Sequence, residues 1–127
     1  MASARRLVLD GELVCFGSDG LPDFAALRNR LGQRPRFHGR RRPVLATFVA
    51  FDILHLDGYA VRDLPYLRRR ELLAELALDP PRWRTPPHAV SASEQEALRT
   101  LTRSRNLEGL VAKRLDASYV KGRRSAS

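Results

Sequence analysis

The fold of this chain is constrained most strongly by the stretch Phe48-Val49-Ala50-Phe51-Asp52-Ile53-Leu54-His55-Leu56-Asp57-Gly58. This stretch lies within residues 44–56, the most apolar part of the sequence, which is rich in valine, phenylalanine and isoleucine. Such residues favour strands, and the Asp-Gly pair at the end is typical of a tight turn. The sequence therefore predicts a central strand that enters a turn.

Two phenylalanines in this strand are candidates for different roles. Phe48 and Phe51 are three positions apart, so a regular strand sends them to opposite faces and only one can reach a given pocket. Phe51 could stack on a purine, because aromatic stacking tolerates any base. The alternative is that Phe51 is an ordinary core residue.

A second strand is predicted over residues 5–16, where apolar and polar residues alternate. The period of two places Asp10 and Glu12 on one face. The opposite, apolar face carries Leu7, Leu9, Leu13 and Cys15.

Two helices are predicted from capping residues and apolar spacing. The first covers residues 23–32, and the second opens at residues 63–65 with an aspartate and a proline. The buried stripe of the second helix is predicted to be Leu67, Leu72, Leu73 and Leu76. Residues 33–43 carry five arginines and should form a solvated loop, either a flexible connector or a DNA contact, while the prolines of residues 80–87 indicate an extended connection.

A third helix and a last strand complete the order. Ser91 with Glu94, and Ser93 with Glu96, both fit a capping box at the start of the third helix. Residues 108–114 are mostly apolar and are predicted to form the last strand. The predicted order is strand, helix, strand, helix, helix, strand.

Composition limits the class of protein. The 127 residues, 43% of them hydrophobic, suit one domain with an ordinary core. No apolar run approaches the ~20 residues of a membrane span, so we expect a cytoplasmic protein without a membrane partner. Cys15 is the single cysteine, which excludes an intramolecular disulfide and zinc sites built on paired cysteines.

The charge is strongly positive. The chain has 23 lysines and arginines against 14 acidic residues, a net charge of +9, and only Lys113 and Lys121 are lysines. Arginine suits bidentate contacts to phosphate, so a polyanionic partner, most simply nucleic acid, is favoured. Coding sequence rich in G and C would also enrich arginine, and this alternative stays open.

Two carboxylates and one lysine could serve a metal and a phosphate group. Glu12 and Glu108 lie in apolar strand contexts, and magnesium needs only a few hard oxygen ligands when it shares phosphate oxygens. The alternatives are a solvent-facing or salt-bridged Glu12 and a Glu108 paired with a nearby arginine. Lys113 could counter phosphate charge, but it is five positions from Glu108, so a bulge or a position beyond the strand end is required. No Gly-rich phosphate loop is present, and the three histidines show no ligand spacing.

Three blocks, in order, resemble the catalytic adenylation domain of ATP-dependent DNA ligases, most closely the bacterial end-joining type. They are residues 9–14 (Leu-Asp-Gly-Glu-Leu-Val), residues 48–58 quoted above, and residues 108–113 (Glu-Gly-Leu-Val-Ala-Lys). The resemblance covers nearly the whole chain and implies an α+β fold of the DNA ligase and mRNA capping enzyme type. Antiparallel strands would carry the site, with about three helices outside. Residues 1–127 would be part of the adenylation domain, with a core over residues 5–124 and a disordered tail over 125–127.

The resemblance also implies roles for individual residues. Glu12 would contact the nucleotide ribose and the metal-bound centre, Phe51 would stack on adenine, and Glu108 would bind the divalent metal. Lys113 would lie near the phosphates of ATP, and Arg123 and Arg124 near phosphate or DNA. The implied cofactors are ATP and Mg²⁺, and the implied partner is DNA.

The sequence departs from the family at both ends of the resemblance. Such ligases use the lysine of a Lys-x-Asp-Gly motif to form a covalent lysyl-adenylate, and neither Asp10-Gly11 nor Asp57-Gly58 has that lysine. The Trp-x-Lys-x-Lys motif expected after Ser125 is also missing. We therefore expect a fragment without a catalytic lysine, whose partners include the remaining ligase segments or end-joining proteins.

Two functions remain open from sequence. The first is a fragment of an ATP-dependent DNA ligase that seals nicks through an AMP intermediate, for repair or recombination, and is inactive alone. The second is a remnant that acts as a basic nucleic-acid-binding module without catalysis. RNA ligases and capping enzymes share the fold, but the Phe51-Asp52 block and the Arg-Arg-Ser ending favour DNA over RNA.

Overall fold

The computed structural model describes residues 5–32, 45–78 and 81–122. These residues form one sheet and three helices. In chain order the elements are β1 (Leu7–Cys15), α1 (Phe24–Gly32), β2 (Ala46–Leu56), β3 (Tyr59–Ala60), α2 (Tyr66–Glu75), β4 (Trp83–Arg84) and α3 (Ala92–Ser104). The predicted loop over residues 33–43 and the predicted tail over residues 125–127 lie outside the described residues.

The sheet is built on β2, as its apolar sequence predicts. β1 pairs antiparallel with β2 along its whole length, from Leu7 opposite Leu56 to Cys15 opposite Ala46. On the other edge, β2 pairs antiparallel with β3 and parallel with β4. The turn between β2 and β3 has positive φ at both Asp57 (48°) and Gly58 (103°), the backbone that two-residue hairpin turns require. The prediction of a central strand ending in an Asp-Gly turn is confirmed.

The core lies between β2 and α2. Ala50, Ile53, Val61 and Leu73 are buried together, and partly buried leucines of β1 and α2 pack against them. Fully burying a valine, leucine or isoleucine side chain contributes roughly 1.5 to 3 kcal/mol. Leu73 of the predicted stripe is fully buried, and Leu72 and Leu76 pack against the cluster.

The third helix begins where one of the two predicted capping boxes places it. Ser91 is the N-cap of α3, its hydroxyl accepts from the Glu94 backbone N–H, and the Glu94 carboxylate accepts from the Ser91 N–H. The alternative box at Ser93 is not used. No helix in the described part of the chain is long and apolar enough to cross a membrane.

One prediction about strands is wrong, and two others are refined by the structure. The predicted strand over residues 108–114 is wrong, because residues 107–122 contain no strand or helix and no described strand pairs with them. Val111 is accordingly 84% exposed. The predicted extended connection at the prolines contains the short β4. Leu13, predicted to lie on the apolar face of β1, is half exposed. Val14 and Cys15 are both buried, so the end of β1 is covered on both sides.

Candidate functional site

A bulge in β2 distinguishes Phe51 from its neighbours. In the β1–β2 register, Glu12 lies opposite Val49 and Asp10 lies opposite Asp52, while Phe51 is the extra residue at a register shift. Bulges of this kind re-aim side chains and are common beside active sites. Glu12 is exposed and Phe51 is half-buried. The register therefore brings the Glu12 and Phe51 regions together on adjacent strands.

Gly11 permits the close approach of the two strands at this point. A Cβ added at Gly11 would lie 2.3 Å from the carbonyl oxygen of Val49 and 2.8 Å from the Phe48 ring. A backbone atom cannot give way as a flexible side chain can. Packing against β2 thus requires the glycine that lies between Asp10 and Glu12.

The residue after Phe51 forms a buried ion pair. Asp52 and Arg69 of α2 are 1% and 2% exposed, and the guanidinium holds the carboxylate bidentately, with Nε–Oδ1 at 2.8 Å and Nη2–Oδ2 at 3.0 Å. The Ile53 backbone N–H donates to the same carboxylate at 2.9 Å. A buried pair is tolerated when its lone pairs and protons are satisfied in this way.

Arg69 also holds the irregular segment of residues 107–122, which carries Glu108 and Lys113. Its Nη1 donates to the carbonyl oxygen of Ala117 at 3.0 Å and to that of Leu64. Two residues earlier in α2, the Leu67 N–H donates to the carbonyl oxygen of Leu115 at 2.9 Å. The segment is therefore attached to α2 through individual hydrogen bonds.

Tyr119 ties the same segment to β1. Its N–H donates to the Arg62 carbonyl oxygen at 2.8 Å, and its hydroxyl donates to Asp10 Oδ2 at 3.1 Å. Burial, and then the hydrogen bond to Asp10, raises the pKa of the Tyr119 hydroxyl. Because Asp10 is two residues from Glu12, this contact brings the segment to the strand that carries the predicted ribose contact.

The other predicted site residues are placed as follows. Lys113 is exposed, and its Nζ lies 4.9 Å from the centroid of the Tyr66 ring. Glu108 is exposed, like Glu12. Arg123 and Arg124 lie outside the described residues.

The metal assignment depends on Glu12 and Glu108. Within residues 5–32, 45–78 and 81–122, no three His, Cys, Asp or Glu side chains are grouped to hold a metal ion. A magnesium ion that keeps several waters and binds phosphates needs only one or two protein carboxylates. Two exposed carboxylates suit that limited requirement, so Glu12 and Glu108 stay predicted ligands.

A second arginine of α2, Arg70, forms hydrogen bonds at the edge of β2 that also pairs with β3 and β4. Arg70 is 3% exposed, and it donates to the Pro86 carbonyl oxygen at 2.8 Å and to the Phe51 carbonyl oxygen at 3.4 Å. Its Nη2 lies 3.3 Å from His88 Nδ1, and its Nε has no hydrogen-bond partner among the described residues. Arg70 therefore lies at the part of this edge between the β3 and β4 pairings, where no described strand pairs with β2.

Sequence reasoning missed Asp52, Tyr66, Arg69 and Arg70. A signal was available, because Tyr66, Arg69, Arg70 and Leu73 have the spacing of one helical face. Two arginines on the face of a buried leucine must be exposed or paired. Asp52, the one carboxylate inside the most apolar stretch, is the matching partner.

The predicted apolar face of β1 lines an open groove of about 720 Å³. Phe48 contributes to it and meets Trp83 edge-on, with ring centroids 5.5 Å apart. The other apolar side chains that line it are Leu7, Leu9, Leu13, Leu45, Ala46 and Leu78. Phe48 is thus part of a largely apolar surface, to which Arg30 and Arg82 also contribute.

Comparison with known proteins identifies the family. Residues 1–127 match the family model described as the ATP dependent DNA ligase domain. A probable DNA ligase of Streptomyces coelicolor is 39% identical over 128 residues, which cover 97% of this chain and 25% of that protein. The multifunctional non-homologous end joining DNA repair protein LigD of Mycobacterium tuberculosis (strain H37Rv) is 37% identical over 123 residues, 97% of this chain and 14% of that protein.

Solved structures agree with the family model. Mycobacterial DNA ligase D complexed with ATP and MES matches with a TM-score of 0.73 and 35% identity, over 97% of this chain and 36% of that chain. The ligase domain of M. tuberculosis LigD matches equally well, over 37% of that chain. The α+β fold with a mainly antiparallel sheet and three helices is therefore that of the LigD ligase domain. This chain, which spans a quarter or less of the two relatives named above, belongs to the ATP-dependent DNA ligase family.

Proposed function

We propose that the chain supplies part of the nucleotide-binding site of an ATP-dependent DNA ligase, which seals DNA nicks through an AMP intermediate in repair or recombination. The observation that carries this proposal is the set of contacts that link residues 113–119 to β1 directly and to Asp52, the residue after Phe51, through Arg69. Tyr119 bonds Asp10, and Arg69 bonds both Asp52 and Ala117. These contacts support a single site that includes the predicted adenine and phosphate regions.

Each side chain has a role in this proposal. Phe51 stacks on adenine, Glu12 orients the ribose and the metal, and Glu108 provides the second carboxylate. Lys113 contributes positive charge beside the phosphates, where fixed charge is most effective. Bound Mg²⁺ would offset phosphate charge. Arg123 and Arg124 would contact phosphate or DNA, and the cytoplasm is the proposed compartment.

Nucleotide binding tests this proposal on the chain itself. Phe51→Leu should weaken binding of ATP, titrated with magnesium, by roughly 5- to 150-fold, because a base stack contributes about 1 to 3 kcal/mol. Phe24→Leu is the matched control, since Phe24 lies on α1 and is 64% exposed. Equal ATP affinity in wild type and Phe51→Leu would contradict the assignment.

A covalent assay tests whether the chain acts alone. The 127 residues contain no Lys-x-Asp-Gly motif, so incubation with radiolabelled ATP and magnesium should leave no protein-bound label. A label that survives denaturation would show that another residue forms the adenylate.

A basic DNA-binding module without catalysis is the second candidate, favoured by the net charge of +9. It predicts binding to DNA of any sequence that weakens steeply with salt, because phosphate neutralisation releases counterions. Salt-sensitive DNA binding without any ATP binding would favour this candidate over the first. Absence of DNA binding at ~50 mM salt, where such contacts are strong, would exclude it.

A further inference from the structure

Lys113 lies against an aromatic ring in a part of the chain that has no strand. Its Nζ is 4.9 Å from the centroid of Tyr66. A cation over the face of an aromatic ring is attracted by the ring quadrupole. Because residues 107–122 form no ladder, the backbone alone does not set the direction of the Lys113 side chain. The ring is therefore the contact that orients it.

Tyr66 is itself held in place. It is the first residue of α2, next to the N-cap Pro65, and its ring centroid lies 5.6 Å from the Arg69 guanidinium carbon. Arg69 is clamped by Asp52, so side-chain contacts run without a break from β2 to Lys113. Burial raises the pKa of the Tyr66 hydroxyl, so the ring stays neutral at physiological pH.

The backbone of the segment is attached at the same place. The N–H of Leu67 donates to the carbonyl oxygen of Leu115, two residues after Lys113. One helical turn of α2 thus provides both a hydrogen bond to the backbone and an aromatic surface for the lysine. Lys121, the other lysine, lies in the same irregular segment and has no such described ring contact.

We propose that Tyr66 is a positioning residue that holds Lys113 in the direction of the nucleotide phosphates. This inference rests on the proposed function, which assigns Lys113 to phosphate. Tyr66 acts through its ring face and not through its hydroxyl. Phenylalanine should therefore replace it, and leucine should not.

The two lysines make the contact directly measurable. The full 127-residue chain labelled with ¹³C at lysine Cε gives two ε-methylene signals, which a Lys121→Arg variant assigns. In wild type, the Lys113 signal should be shifted upfield by the Tyr66 ring current and should show a nuclear Overhauser contact to that ring. The upfield shift should persist in Tyr66→Phe and disappear in Tyr66→Leu, while Lys121 stays unchanged.

Titration with ATP and magnesium then tests the positioning role. ATP should move the Lys113 signal more than the Lys121 signal. Half-saturation should require roughly two- to five-fold more ATP in Tyr66→Leu than in Tyr66→Phe, as expected for loss of an exposed cation–π contact.

The outcomes separate this inference from the proposed function. Absence of the Overhauser contact in wild type overturns the inference. This measurement uses the wild-type chain alone, so it does not depend on whether Tyr66→Leu folds. Equal ATP affinity in Tyr66→Leu and Tyr66→Phe also overturns it, with the proposed function intact. If ATP moves neither lysine signal in wild type, the proposed function fails and the positioning role fails with it.

Discussion

The two parts of the candidate site are held in different ways. Glu12 and Phe51 lie on β1 and β2, whose backbones are paired from Leu7 to Cys15. Glu108 and Lys113 lie in residues 107–122, which have no strand and are attached through a few side chains and single hydrogen bonds. A ladder distributes its stability over many bonds, whereas the segment depends on Arg69, Tyr66 and Tyr119. Single substitutions should therefore affect the segment more selectively than the strands.

The largest expected effect is at the Asp52–Arg69 pair, which connects the two parts. Arg69→Met leaves the Asp52 carboxylate buried without its partner, and this should lower the free energy of unfolding by about 3 to 5 kcal/mol. Urea denaturation measures it. Arg68→Met is the control, because Arg68 is an exposed neighbour whose pairs with Glu71 and Glu75 lie at the surface. Its effect should stay within about 0.5 kcal/mol.

A double variant tests the cause of that loss. Asp52→Leu combined with Arg69→Met removes both buried charges and should be less destabilising than the sum of the two single changes. Strict additivity would indicate that the pair is not coupled as the geometry implies.

A smaller effect is expected within the strand-held part. Gly11→Ala places a Cβ against the Val49 carbonyl oxygen, and the strands must separate locally. We expect a loss of about 1 to 3 kcal/mol in the free energy of unfolding, as for other overpacked sites. Gly32→Ala, where no atom lies within 4 Å of an added Cβ, should be close to neutral. Similar losses in both variants would contradict the packing explanation.

Removal of the Tyr119 hydroxyl should change the local stability of residues 107–122 only. Tyr119→Phe removes one hydrogen bond to Asp10, worth about 1 kcal/mol, so the Tyr119 amide should exchange with solvent roughly five-fold faster. Hydrogen exchange followed by NMR measures this, with Tyr59→Phe as the control because Tyr59 is 76% exposed. Equal acceleration of the slow β1 amides would show that the segment and the strands open together.

The smallest expected effect is on the pH dependence of the free energy of unfolding. Asp57 accepts from the Arg6 backbone N–H and from the Arg5 guanidinium, and both lower its pKa. A lowered folded-state pKa stabilises the fold above the unfolded pKa, and this contribution is lost as pH falls below about 4. Asp57→Asn should therefore flatten the acid limb of the stability curve. Asp63→Asn, at an exposed carboxylate, should leave it unchanged.

The strand-held part was predictable because its signals are local. Alternation, β-branched residues and an Asp-Gly turn predicted β1, β2 and the β2–β3 turn, and the Ser91 capping box predicted α3. The bulge at Phe51 was not predictable, because it depends on which residues of two strands lie opposite each other. The expectation that residues 108–114 form a strand failed because an apolar run needs a partner strand, and none of the described strands pairs with it.

By itself, the sequence determined the positions of the main elements and the order of the three blocks that resemble DNA ligases, because periodicity and motif order are local properties. Only the tertiary structure decided that Asp52 pairs with Arg69 and that Tyr66 lies under Lys113. These partners are 17 and 47 residues apart in the chain. Burial makes an unpaired charge costly, so the fold must bring a partner to Asp52. Residue spacing marks Arg69 and Asp52 as candidates, but it does not pair residues that are far apart in the chain.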